Sequence, residues 1–177
     1  LKIKYCVELF ASSATVAATL GRLGFYCIAI DIRFGDDHKL KSSKLRNCIL
    51  GWVQSKAALA VLAGFVSSSF STARNMPGGP PPLQDSSHVA GFDDLRPRDA
   101  EKVRVGNLFL RWCYKLLRCC LTTKTICVLE NPWTSWAWQM KEALPLQRMT
   151  EVTFLENRLL PMGDSMAEVD GPLVSSS

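Results

Sequence analysis

YCVELFASSATVAATLGRLGFYCIAID, residues Tyr5 to Asp31, passes through four local patterns in turn. Tyr5 to Phe10 is an apolar run of the length and composition of a buried parallel strand. Ala11 to Ala14 is a turn of small residues, after which Thr15, Val16, Leu20 and Leu23 recur at helical spacing. Gly24 stops that helix, and Phe25 to Ile30 forms a second apolar run ending on Asp31. Strand, tight turn, helix, strand and acid make the plan of a nucleotide-cofactor half-site. The turn brings helix amides to the ligand, and the acid accepts hydrogen bonds from ribose hydroxyls.

The rest of the chain extends this alternation. Ser42 to Lys56 reads as a helix capped by Ser42 or Ser43, with Leu45, Ile49, Trp52 and Val53 on one face. Ala57 to Val66 is a third strand, and Thr125 to Glu130 a fourth. Between them Pro97 opens a helix to about Leu121, with Asp99 and Glu101 at its positive end. Val105, Phe109, Trp112, Cys113, Leu116 and Cys120 share one side of it, and Arg104, Arg111, Lys115 and Arg118 the other. A further helix to about Leu144 and a last strand over Glu151 to Leu155 are expected. The order implies an α/β fold, Rossmann-like, with a mostly parallel sheet flanked by helices. The expected domain spans 1–155, with 156–177 an irregular or disordered tail. A long loop at 74–97 contains Gly78-Gly79-Pro80-Pro81-Pro82 and reads as a lid, a binding loop or a disordered passage.

Composition sets wider bounds. The 177 residues suffice for one domain, 47% of them hydrophobic and 21% charged. A net charge of +5 permits a polyanionic partner without requiring one. The basic helix face at 104–118 is the candidate surface for DNA or single-stranded nucleic acid; a solvated helix face gives the same pattern. Seven cysteines without a CxxC pair, and only two histidines, argue against a zinc site. They suit reduced thiols in an intracellular protein, nuclear or cytoplasmic. No apolar run has the length of a membrane span, and no cleavable signal is expected. A start at Leu1 rather than Met suits a fragment or an incomplete reading frame.

Three motifs together resemble the catalytic core of the DNA cytosine-5 methyltransferase superfamily. The likeness is greatest to a divergent group found beside reverse-transcriptase-type mobile elements in protists. Glu8 to Ala14, ELFASSA, stands where the family has an ELFAGSG-like turn for S-adenosylmethionine. Gly64 to Arg74, GFVSSSFSTAR, stands where the group has GTPCSSFSxAR, and Glu130-Asn131-Pro132 where the family has ENV and the group ENP. GGPPPL before the long helix also matches, and the likeness covers about residues 5 to 140. It implies a reaction centre at Ser67, Arg74, Glu130 and Asn131. It implies S-adenosylmethionine around Phe10, Ala11, Ser12, Ala14, Asp31 and Asp36.

The departures are as informative as the matches. The family adds a cysteine thiolate to a flipped-out cytosine, supported by a glutamate that here is Glu130. Ser67 takes the place of that cysteine, and a hydroxyl ionises far less readily than a thiol of pKa about 8.5. Ser12 and Ala14 replace glycines, and a left-handed backbone costs a non-glycine residue about 1–2 kcal/mol. The sequence therefore predicts a degenerate, inactive methyltransferase-like domain with weak or no S-adenosylmethionine binding. Two alternatives stand beside it. Asn131-Pro132-Trp133 faintly echoes the motif of amino-methyltransferases, which need no cysteine. A non-catalytic remnant of a mobile element would meet nucleic acid through the basic helix and Trp133, Trp136 and Trp138.

Overall fold

The computed structural model describes residues 3–65 and 68–155; residues 1–2, 66–67 and 156–177, including Ser67 and the expected tail, lie outside the described residues. Four parallel strands, β1 (Tyr5–Leu9), β2 (Tyr26–Ile30), β3 (Ala58–Gly64) and β4 (Ile126–Glu130), form one sheet in the order β2-β1-β3-β4. The α/β, Rossmann-like class expected from the alternating pattern is what the chain adopts. Strand order reverses beside β1: the chain leaves it on one side to make β2 and returns to the other to make β3 and β4. Ligands in such sheets collect at the carboxyl end of this reversal.

Handedness then assigns the helices. Right-handed crossovers place α1 (Thr15–Arg22) on one face and α2 (Ser43–Gln54) with α3 (Pro97–Thr123) on the other. Val7, Leu9, Ile30, Val61 and Ala63 face α2 and α3 and are buried with Ile49, Val53, Leu110, Cys113 and Leu116. Glu8, which by strand alternation points the opposite way, reaches α1 instead. α1 itself has no buried residue, while Ile126 and Val128 on its side of β4 are exposed.

The helix boundaries follow their local signals. Ser42 Oγ accepts the Leu45 amide at the start of α2, Pro97 opens α3, and Gly24 ends α1 with φ +88°. After β3, residues 83–90 dock on α3. Asn107 Nδ2 donates to the Ala90 carbonyl, Gln84 Nε2 to that of Val89, and Leu83 is buried. Gly91, at φ +114°, leaves no room for a side chain, since a Cβ there would meet Val103 Cγ1 at 2.5 Å.

Two expectations fail after β4. The expected helix to about Leu144 is replaced by single 3-10 turns at Trp136–Gln139 and Leu146–Arg148. Side chains take the carbonyls an α-helix needs: Tyr114 Oη donates to Ala137 O, and Gln147 Nε2 to Trp138 O. Residues 151–155 form no strand; Phe154 instead lays its ring against Trp138.

Candidate functional site

Phe10, Asp31 and Gly64 lie at the carboxyl ends of β1, β2 and β3 and line one cavity of about 500 Å³. Phe109 of α3 and the segment Ile32, His38, Lys39, Leu40 and Lys41 complete it. The topology that reverses strand order beside β1 thus also opens the cavity. Phe10 is held by Phe109, their rings 5.2 Å apart in an edge contact. Helical spacing alone places Phe109 on a core face, with no sign of the cavity. Leu40 is the lone apolar residue within Gly35–Ser43. That isolated leucine is the one sequence sign that the polar passage has an inward side.

The turn after β1 has an unusual backbone. Phe10, Ser12 and Ala14 all adopt positive φ, at 56°, 48° and 54°. These include both positions where the resemblance expects glycine, so the turn keeps a conformation its residues do not favour. Asp31 fastens it: Oδ2 accepts the Ser12 amide at 3.0 Å and Oδ1 the Arg33 amide at 2.9 Å. The Ala11 amide bonds the Ile30 carbonyl, and Arg33 Nη1 reaches Ser12 Oγ. Glu8 Oε2 accepts the Ala17 amide at 2.7 Å, so an internal carboxylate already occupies the positive end of α1. A ligand phosphate is disfavoured there.

The other predicted cofactor residues divide. Phe10 and Asp31 line the cavity; Ala11, Ser12 and Ala14 shape the turn behind it without lining it. Asp36 is a solvated residue, its side chain 88% exposed and paired with Lys39 at 2.7 Å. Lys39 and Lys41 bring cations to the cavity wall, but each has an acid, Asp36 and Glu101 respectively.

Of the residues expected at a reaction centre, Glu130 pairs with Gly64 across the β3–β4 ladder. A Cβ on Gly64 would lie 3.3 Å from Glu130 Oε2, so the carboxylate rests against the strand end that lines the cavity. Asn131 is turned to structural use, with Nδ2 donating to the Phe65 carbonyl at 2.9 Å and Oδ1 buried without a partner among the described residues. Arg74 likewise holds its own loop, donating to the carbonyls of Pro81 and Ser68. Trp136 N to Phe70 O and Thr72 Oγ1 to Thr134 Oγ1 join the loops following β3 and β4. All seven cysteines lie within strands or helices, none on these loops. Burial raises the thiols of Cys27, Cys113 and Cys119, which removes them further from thiolate chemistry.

The basic face of α3 is partly neutralised. Arg104 pairs with Glu101 and Arg111 with Glu142, leaving Lys115 and Arg118 without an acidic partner among the described residues. Among those residues no cluster of His, Cys, Asp and Glu could hold a metal ion, and no helix is long and apolar enough to cross a membrane. No protein-family model, curated protein or solved structure matches the chain.

Proposed function

We propose that this chain is a degenerate DNA cytosine-5 methyltransferase-like domain that keeps a weak S-adenosylmethionine pocket and has lost methyl transfer. The observation that carries this reading is the left-handed backbone at Ser12 and Ala14 beside a cavity lined by Phe10, Asp31 and Gly64. Glycines suit that turn, and a fold would not be expected to adopt it unaided from an alanine and a serine. Several details favour an adenosyl cofactor without phosphates. Glu8 fills the helix terminus that a pyrophosphate would use, the cavity has aromatic walls, and Asp31 retains acceptor lone pairs for ribose hydroxyls.

The same geometry softens the expected loss of affinity. The turn is left-handed in the folded chain, so its strain opposes folding rather than binding. What remains against the ligand is the bulk of two Cβ atoms. The lost reaction follows from chemistry: a serine stands at the nucleophile position, and no thiol lies on the loops after β3 and β4.

Two measurements on the same preparation test this. Calorimetry with S-adenosylmethionine is expected to show binding weaker than micromolar, diminished further by Asp31→Ala. A duplex carrying a mechanism-based cytosine analogue is expected to give no covalent adduct. Tight binding or an adduct abolished by Ser67→Ala would overturn the respective half of the reading.

A further inference from the structure

A second cavity, of about 470 Å³, lies beyond the end of β4 and is lined by Trp133, Trp138, Gln139, Leu144, Gln147 and Phe154. It shares no lining residue with the first, and it does not depend on whether the cofactor reading holds. We propose that this aromatic pocket holds an unpaired base of single-stranded nucleic acid.

The walls are built in advance. Trp138 donates its indole N–H to the Pro132 carbonyl at 2.9 Å, and its ring is set edgewise against Phe65 and Phe154. Trp133 is 55% exposed, so a large π face stands open at the mouth. Such faces stack on any base, which suits a strand without fixed sequence. Gln139 and Gln147 supply amides at the rim; Gln147 Nε2 is held by the Trp138 carbonyl, which orients its oxygen. A base edge offers donors and acceptors to match.

Charge agrees with this occupant. Within 131–150 the cations are Lys141 and Arg148, both exposed, and neither has an acidic partner among the described residues. The one acid of that stretch, Glu142, is bound to Arg111 of α3, away from the cavity lining. Glu151 follows just outside it, accepting a hydrogen bond from Thr150. An apolar pocket whose lining residues Gln147 and Gln139 stand next in sequence, or nearly so, to the exposed cations Arg148 and Lys141 suits a base with its adjoining phosphates better than a neutral or cationic peptide.

Fluorescence anisotropy of a labelled oligothymidylate strand, read over a salt series, tests the assignment. Trp133→Ala is expected to weaken binding about tenfold, while Trp133→Phe, which keeps a π face, retains most of it. Lys141→Ala with Arg148→Ala is expected to flatten the log–log salt dependence, by about 0.7 for each phosphate left without its cation. Lys115→Ala with Arg118→Ala is expected to change binding less. Absence of binding at low salt would overturn the proposal. So would equal affinity for blunt duplex, or a weakening that follows the α3 cations and ignores Trp133. Thermal melting of each variant guards against misfolding. S-adenosylmethionine calorimetry on Trp133→Ala is expected to match the parent chain, which separates failure here from failure of the cofactor reading.

Discussion

The two faces of the sheet are unequal. On one, α2 and α3 bury a continuous core in which Ile49, Val53, Leu110, Cys113 and Leu116 have essentially no exposure. On the other, α1 lies over β1 and β2 without burying any residue of its own, and Ile126 and Val128 stay exposed. Stability is therefore concentrated on the α3 side, because the apolar area removed from water is concentrated there. The strained turn at Phe10–Ala14 leads into α1 on the weakly packed side, while Phe10 itself packs against Phe109 of α3. It is sustained by a core to which its own helix contributes little.

Matched truncations on the two faces would break this comparison if it is mistaken. Leu110→Ala removes a fully buried side chain and leaves a cavity, and a loss of about 3 kcal/mol is expected. Leu20→Ala removes a half-buried leucine of α1, where less than about 1 kcal/mol is expected, since alanine also favours helix. Denaturant unfolding of both variants measures the difference. Similar losses would mean that α1 is as integral to the core as α3.

The turn offers a sharper probe, with a smaller effect of opposite sign. Ala14 is both left-handed and the N-cap of α1, a position where glycine exceeds alanine on each count. Ala14→Gly is expected to stabilise the fold by about 1 kcal/mol, raising the denaturation midpoint at constant slope. If the turn's strain bears on folding and not on binding, S-adenosylmethionine affinity should change less than tenfold in the same variant. A large gain in affinity with no gain in stability would reverse that assignment.

What the sequence makes legible follows the same divide. Strands and helices are readable because their apolar periodicity is local, and Ser42, Gly24 and Pro97 mark their ends. The rim is readable where one residue type does one job, as with Asp31 at a strand end. Phe109 is not, because its place in the cavity depends on how α3 crosses the sheet, far along the chain. Arg74 and Asn131 carry site-like chemistry in the sequence, yet in the fold they donate to backbone carbonyls. Nothing in local composition separates these uses. The helix expected up to Leu144 fails for a similar reason, since its competitor, Tyr114, arrives from α3.

The smallest expected effect lies on the better-packed side, at the cavity wall. Glu101 of α3 bonds Arg104 and also Lys41, which lines the cavity. The hydrogen bonds from Arg104 hold the Glu101 carboxyl down to about 2, against an opposing effect of desolvation, and Lys41 adds to the lowering. Because the folded value lies below the ordinary 4.5, the unfolded chain takes up the proton first as pH falls. This contribution is complete above about pH 4.5 and is lost on descending towards 2. Solvent and salt screen a pair so exposed, so the effect on unfolding is expected to be slight and to shrink as salt rises. Comparing Glu101→Gln with the parent chain across this window isolates it: the two should differ near neutrality and converge in acid. A difference that persisted below pH 2 would place the role of Glu101 in packing rather than charge.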